Sequence, residues 1–194
     1  MKTLYKKFLS IISTLFLVSN LSATAEDKKR PDGTNKVFYK NGVVKGIANY
    51  KNNVMEGEYK LFYENGKLKE SGSYTNGNLN EIIKTYTASG VLKSEESFLN
   101  GKREGLHTNY YPNGKKHLVS NFKNNRQEGF STSYYQNGKL QFQIPYTGDK
   151  IDGISTYYDE KGTLKMKTKF KDGKFVQNLF IDKKLIEETV AKNK

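Results

Sequence analysis

A glycine recurs every 24 residues in this chain, and an aromatic residue follows each of these glycines eight positions later. The six marker glycines are Gly42, Gly66, Gly90, Gly114, Gly138 and Gly162, and their aromatic partners are Tyr50, Tyr74, Phe98, Phe122, Tyr146 and Phe170. A fixed period of this length is typical of a repeat array, in which each unit packs mainly against its neighbours. The period therefore predicts the architecture but does not by itself indicate a function.

Two turn signals divide each repeat. Asparagine precedes the marker glycine at Asn41, Asn65, Asn113 and Asn137, and Asn-Gly between β-rich segments is a strong hairpin signal. A second pair of turn residues follows the aromatic partner: Asn52-Asn53, Asn76-Gly77, Asn100-Gly101, Asn124-Asn125, Gly148-Asp149 and Asp172-Gly173. All six pairs tolerate the positive φ angles that a type I′ turn requires.

These signals predict an all-β fold. About six 24-residue β-hairpin units over residues 37–181 would form an elongated, twisted antiparallel meander of twelve strands. The tail, residues 182–194, is predicted to form a short helix that begins after Asp182 and covers the last strand.

Strand alternation gives a prediction for the core. Positions two and eight after the marker glycine, such as Leu68 and Tyr74, are assigned to one buried face. On the other strand of each unit the same face is assigned to four pairs: Ile82 with Tyr86, Leu106 with Tyr110, Phe130 with Tyr134, and Ile154 with Tyr158.

The first 25 residues have the order of a secretory signal peptide. Lysines precede an apolar run from Phe8 to Val18, and Ala23-Thr24-Ala25 offers a cleavage site. A membrane anchor is the alternative, but the run is shorter than the ~20 residues that a spanning helix needs. We therefore expect an exported protein, periplasmic or secreted, with a flexible charged leader at residues 26–36. The chain has no cysteine, so disulfides are excluded.

Net charge limits the class of partner. The formal charge is +13, and removal of the three lysines before residue 26 leaves +10. Such a surface favours anionic lipid headgroups, acidic glycans or an acidic protein, while export argues against nucleic acid. The alternative is that the lysines keep a long sheet soluble and its edges unpaired.

Two columns of side chains are candidates for a binding surface. One consists of Lys45, Lys69, Lys93 and Lys165, and the other of Tyr63, Tyr111 and Tyr135. Parity places both columns on the face opposite the predicted core, where rings and ammonium groups would face a partner together. The alternative is that the tyrosines pair across strands and the lysines are solvated.

Nothing in the sequence indicates catalysis, a cofactor or a metal. His107 and His117 occupy different repeat positions, and the chain has no HExxH motif and no phosphate-binding glycine loop. Glu56, Glu104 and Glu128 are separated by multiples of 24 residues, and residues 24 apart lie two strands and about 9 to 10 Å from each other, which is too far for a calcium shell at about 2.3 to 2.6 Å. These acids, with Asp152, are interpreted as residues that flank turns.

The segments Phe62-Tyr63-Glu64-Asn65-Gly66-Lys67-Leu68-Lys69 and Asn100-Gly101-Lys102-Arg103-Glu104-Gly105 resemble the bacterial variant of the MORN repeat. The resemblance covers about residues 38–181 and implies a β-hairpin array used for binding, since similar arrays occur in antitoxin-like and exported bacterial proteins. Glu81 and Gln177 depart from the pattern, because other repeats have glycine there.

Three functional hypotheses follow. The first is an exported, non-catalytic scaffold that binds a protein at the bacterial envelope or on a host cell. The second is peripheral binding of anionic lipid or polysaccharide through the lysine columns. The third, which the resemblance suggests, is an antitoxin or immunity-type inhibitor of a partner protein.

Overall fold

The computed structural model describes residues 30–191, so the predicted signal peptide lies outside the described residues. These residues form one open antiparallel sheet followed by one short helix, which confirms the predicted all-β hairpin array. The strands are β1 (Gly33–Phe38), β2 (Val44–Lys51), β3 (Val54–Phe62), β4 (Leu68–Thr75), β5 (Asn78–Tyr86), β6 (Leu92–Leu99), β7 (Lys102–Tyr110), β8 (Lys116–Lys123), β9 (Arg126–Gln127), β10 (Gly129–Tyr134), β11 (Leu140–Thr147), β12 (Lys150–Ile151), β13 (Gly153–Tyr158), β14 (Leu164–Lys171) and β15 (Lys174–Ile181), and the helix is α1 (Lys183–Ala191).

Strands follow one another across the sheet in chain order. The two-residue strands β9 and β12 extend β10 and β13, so the sheet has thirteen strand positions from β1 to β15. The sequence predicted twelve, but twelve turns connect thirteen strands, and the last turn adds β15. The array also begins earlier than residue 37, because Asn35 and Lys36 already pair with Ala48 and Ile47.

The two kinds of turn have different geometry. In the six second turns both central residues have positive φ, for example 51° at Asn100 and 76° at Gly101, as the type I′ prediction requires. In a marker turn only the glycine is left-handed: Gly66 (φ 77°) donates to the Tyr63 carbonyl at 2.9 Å, and Tyr63 donates to the Lys67 carbonyl at 2.8 Å. This is a three-residue loop with a bulge, the next most common hairpin after the two-residue type.

The core prediction was wrong for half of the strands. We call the face that carries Tyr59, Ile83, Ile144, Tyr146 and Phe170 the core face, since these side chains are buried. Four residues assigned to the core lie on the opposite face and are about half exposed: Ile82, Leu106, Phe130 and Ile154.

One extra residue in each hairpin causes this inversion. Phe62 lies opposite Leu68 but Leu61 lies opposite Glu70, so Lys69 has no partner in the register. The bulge recurs after every marker turn. Because each bulge adds one residue to the strand, side chains after it point to the face opposite the one that simple alternation predicts. Leu68 and Tyr74, which strand alternation assigned to the same face, therefore lie on opposite faces of the sheet.

Candidate functional site

The predicted binding tyrosines connect neighbouring repeats. Each hydroxyl donates to a backbone carbonyl 23 residues later, in the next unit: Tyr63 to Tyr86 at 2.7 Å, Tyr111 to Tyr134 at 2.8 Å, and Tyr135 to Tyr158 at 2.8 Å. Tyr39, which was not among the predicted residues, makes the same bond to Phe62 at 2.7 Å. The rings are half-buried. Their hydroxyls are thus committed to the array, and their role in binding stays a prediction.

Asparagine and lysine side chains reinforce the same edge. Asn65 Nδ2 donates to the Ala88 carbonyl at 2.9 Å, and Lys67 Nζ donates to the Ser89 carbonyl at 2.8 Å. The equivalent bonds recur from Asn113, Lys115, Asn137 and Lys139. Marker turns therefore stack through side chains that reach forward into the next unit.

The predicted lysine column occupies the bulges, on the core face rather than opposite it. Gln141, at the equivalent bulge position, shows which face this is. Its side chain accepts a hydrogen bond at 3.1 Å from Ser133, and Ser133 lies on the core face opposite Phe142, which packs against the core. The wrong face assignment has the same cause as the core error, because the bulge adds one residue before these side chains.

The lysines in this column differ in the contacts that their ammonium groups make. Lys45 and Lys69 lie over the rings of Tyr39 and Tyr63, with Nζ 5.7 Å and 5.9 Å from the ring centres. Lys93 is exposed. Lys165 is instead paired with Asp182 at 3.1 Å and Asp159 at 3.6 Å, and the hydrogen bond to Asp182 raises the pKa of its ammonium group. Three of the four predicted lysines therefore face solvent.

The recurring acids cap the second turns. Glu56, Glu104 and Glu128 each accept the backbone N–H of the first turn residue in the next unit, at 2.7, 2.8 and 2.9 Å. Asp32 does the same for Asn52 at 2.7 Å. Their spacing thus reflects a hydrogen bond repeated along the second-turn edge, which sequence reasoning recognised only as turn proximity.

A polar cluster interrupts the core face at its middle. Glu96 Oε1 lies 2.7 Å from Arg103 Nε and 3.3 Å from His107 Nδ1, and the Arg103 guanidinium lies over the Phe122 ring at 5.3 Å. The His107 side chain is buried. This cluster joins β6 to β7 across one junction between repeats.

A hollow of about 120 Å³ lies on the core face of the first unit, between Tyr50, Tyr59 and Tyr74. Small residues, Gly46 and Ala48, line it, whereas the equivalent positions 96 residues later carry Phe142 and Ile144. The buried Tyr59 hydroxyl donates to Glu70 at 2.8 Å, and burial raises the pKa of Tyr59.

The opposite face carries the most exposed line of apolar side chains. Leu106 (55 % exposed) and Phe130 (54 %) are its centre, and Ile82 and Ile154 extend it at the same 24-residue period. Between them lie Ser97, Asn121 and Pro145, their cross-strand partners. Apolar side chains aligned in this way and left open to water are typical of interaction surfaces. We call these four residues the apolar line.

The geometry defines the class of protein: a single-layer array of β-hairpins whose units are connected edge to edge by side-chain hydrogen bonds. Five segments match the family model described as MORN repeat variant, at residues 31–52, 55–76, 103–124, 127–147 and 151–172. These segments cover more than half of the chain, which therefore belongs to the MORN repeat variant family. Repeats of this family are generally scaffolds that bind protein or lipid, and they are typically non-catalytic. No curated protein matches the chain.

One repeat, residues 79–100, lies outside the matched segments yet has the same hairpin structure. Across residues 30–191, no helix combines the length and the apolar composition needed to cross a membrane.

Proposed function

We propose that this chain is an exported, non-catalytic scaffold that binds a protein partner at the bacterial envelope or on a host-cell surface. The apolar line is the observation that supports a protein partner most strongly. Leu106 and Phe130 are more than half exposed, and sequence alternation would have buried them had the bulges been absent. Export is supported by the pattern of residues 1–25.

The spacing of the apolar line suits a partner helix that crosses the strands. Members lie two strands apart, about 9.6 Å, and seven residues of an α-helix advance about 10.5 Å. A helix with apolar residues at every seventh position would therefore contact Ile82, Leu106 and Phe130 in succession. Lys167 lies on the same face beside this line and favours an acidic residue on that helix. Lys60 and Lys84 lie on this face too, but they are paired with Glu58 at 3.5 Å and Glu95 at 3.1 Å.

A pull-down from envelope and host-cell extracts tests this proposal, with the processed protein as bait and washes at low and high salt. We expect one saturable protein that survives high salt. The double substitution Leu106→Ser and Phe130→Ser should abolish capture while the melting temperature changes little, because both side chains are exposed. Leu99→Ser is the matched control, since Leu99 is 53 % exposed but lies beside a turn, away from the line. Equal capture by the double variant and the control would refute the proposal.

The second candidate is binding of anionic lipid or acidic polysaccharide, favoured by the exposed column of Lys45, Lys69 and Lys93. It predicts binding to vesicles with anionic headgroups that weakens steeply with salt. Replacement of these three lysines by glutamine should remove that binding, whereas Lys165→Gln should not, since Lys165 is already ion-paired. Salt-insensitive binding would exclude this candidate.

A further inference from the structure

We propose that two copies of this chain associate through β15, which pairs with β15 of the second copy and continues the antiparallel sheet across a two-fold axis. The proposal concerns a different surface from the apolar line and does not depend on it. It starts from the position of β15 at one end of the strand order, with β14 on one side and no strand from residues 30–191 on the other. A strand in this position presents backbone N–H and C=O groups to a partner.

The side chains of this edge strand are unusually apolar for residues in contact with water. Phe175, Val176, Leu179 and Phe180 are 53, 48, 45 and 42 % exposed. The helix α1 was predicted to cover this strand, but it leaves all four exposed, so that part of the prediction was wrong.

The preceding repeat shows how unusual this composition is. Where β15 has Val176, Leu179 and Phe180, the residues 24 positions earlier are Asp152, Ser155 and Thr156. The preceding repeat thus carries polar side chains at three positions where the terminal strand carries apolar ones. Terminal repeats of arrays normally need a polar outer face for solubility. The reversal here indicates that β15 is an interior strand of a larger sheet.

Strand direction selects the second copy's β15 rather than its β1. Neighbouring strands alternate in direction, so β1 and β15, at positions one and thirteen, point the same way. Head-to-tail stacking of copies would require a parallel pair, whereas every pair in this sheet is antiparallel. A two-fold axis perpendicular to the sheet makes β15 antiparallel to its copy and closes the assembly as a dimer.

A register centred on Asn178 gives this pairing apolar contacts. It places Phe175 opposite Ile181 of the second copy, and both lie on the core face, opposite Phe170 and Met166 of β14. It also places Val176 beside Phe180 of the second copy. Val176 has no register partner on β14, and neither has Leu179, so the second copy would supply neighbours that β14 does not.

The first test is the molar mass of the protein, purified as the cell processes it, by sedimentation equilibrium over a range of concentrations. We expect a reversible dimer, with its dissociation constant raised about tenfold or more by Leu179→Lys or Phe180→Lys, which place a charge on the shared edge. Leu106→Lys is the control, since Leu106 is even more exposed but lies on the apolar line, and it should leave the dissociation constant unchanged. A monomer at about 100 μM, or a dimer that these edge substitutions do not weaken, would overturn the proposal.

A cross-link tests the register without adding charge to the edge. The chain has no cysteine, so Asn178→Cys introduces a single thiol that faces its own copy across the axis. Opposed Cα atoms in an antiparallel pair are about 4.5 to 5.5 Å apart, within the range of a disulfide. We expect mild oxidation to convert Asn178→Cys into a covalent dimer and to leave Thr147→Cys, exposed on another strand, monomeric. Equal cross-linking of the two variants would contradict β15 pairing.

Discussion

Two consecutive repeats, residues 79–100 and 103–124, have the same hairpin fold but are joined to their successors by different chemistry. From the second of them, Tyr111, Asn113 and Lys115 bond to the following unit, and Glu104 caps the turn at Asn124 that leads into it. At the equivalent positions, the repeat 79–100 has Thr87, Ser89, Val91 and Asn80. Three of these differences remove a group that would reach forward across the junction between β6 and β7, and the fourth, at Asn80, removes the carboxylate that would cap the turn at Asn100.

The side chains that replace these groups bond within their own unit or backwards. Thr87 Oγ1 accepts from the Val91 N–H at 3.1 Å and bonds Ser89 Oγ at 2.7 Å, inside its own turn. Asn80 donates to Thr75 Oγ1 at 3.3 Å, towards the preceding unit. Among the six repeats between residues 31 and 172, this one is also the repeat that the family model does not match.

Charged groups on the strands join this junction instead. Glu95 accepts from the Tyr110 hydroxyl at 2.5 Å, and Glu96 is paired with Arg103 and His107. The comparison teaches that a repeat can lose its turn-edge bonds if ionisable pairs form on the adjoining strands. The stability of the junction after residue 100 should therefore depend on pH and salt through these pairs.

The largest effect is expected from removal of a forward-reaching tyrosine. Tyr111→Ala loses the hydroxyl bond to the next unit and the ring contact with His117, whose centre lies 4.3 Å away. We expect the free energy of unfolding to fall by about 2 kcal/mol, less than for a fully buried ring. Thr87→Ala should cost about 0.5 kcal/mol, because its bonds are local. Urea titration measures both, and equal losses would remove the distinction between the two repeats.

The second largest effect on stability is expected from exchanging glycine and glutamate at one left-handed backbone position of two repeats. Glu81 has φ 64°, where the next repeat has Gly105 at 95°. Left-handed geometry costs a residue with a side chain about 1 to 2 kcal/mol, so Glu81→Gly should stabilise and Gly105→Glu should destabilise by about that amount. The Cβ added at Gly105 would lie 3.5 Å from Ser97 Cβ, an ordinary contact, so conformation rather than crowding dominates. Opposite shifts in melting temperature check this, and a destabilised Glu81→Gly variant would contradict it.

The third largest effect on stability is expected from the glutamates that cap the second turns. Glu104→Gln removes a charge-assisted acceptor for the Asn124 N–H and should cost about 1 kcal/mol. The reverse change, Asn80→Glu, supplies such an acceptor at the unmatched repeat and should stabilise by a similar or smaller amount. Hydrogen exchange at the amides of Asn124 and Asn100 reports each cap locally. Unchanged protection of Asn100 in Asn80→Glu would show that the cap cannot be transplanted.

Much of this array was predictable because its period fixes the turns. The type I′ pairs, the N-cap at Asp182, which accepts from Lys184 N–H at 2.9 Å, and the departure at Glu81 follow from local chemistry. The faces were not predictable, because a bulge at Lys69 adds a residue without any distinctive residue type, and a single residue reverses alternation. The forward-reaching bonds were missed for another reason: each spans 20 to 23 residues, and only the stacked geometry shows that the two ends meet.

The smallest effect, and the most specific, is the pH dependence of the junction between β6 and β7. The hydrogen bond from Tyr110 lowers the pKa of Glu95, and the same bond raises the pKa of Tyr110 to about 12. A carboxyl whose folded pKa is lowered adds stability above its unfolded pKa, and that stability is lost as pH falls through the folded value. A phenol whose folded pKa is raised adds stability below about pH 10, which is lost as pH rises towards 12.

Tyr110→Phe isolates this bond, because it keeps the ring and removes only the hydroxyl. The difference in free energy of unfolding between the parent and Tyr110→Phe should be constant near neutral pH. It should shrink as pH falls below the unfolded pKa of a glutamate, about 4.3, and through the lowered pKa of folded Glu95. Tyr111→Phe is the control: its hydroxyl bonds a backbone carbonyl, which does not titrate, so its difference should stay constant through the same acid range. If the two differences followed the same pH profile, the junction after residue 100 would not be held by an ionisable pair.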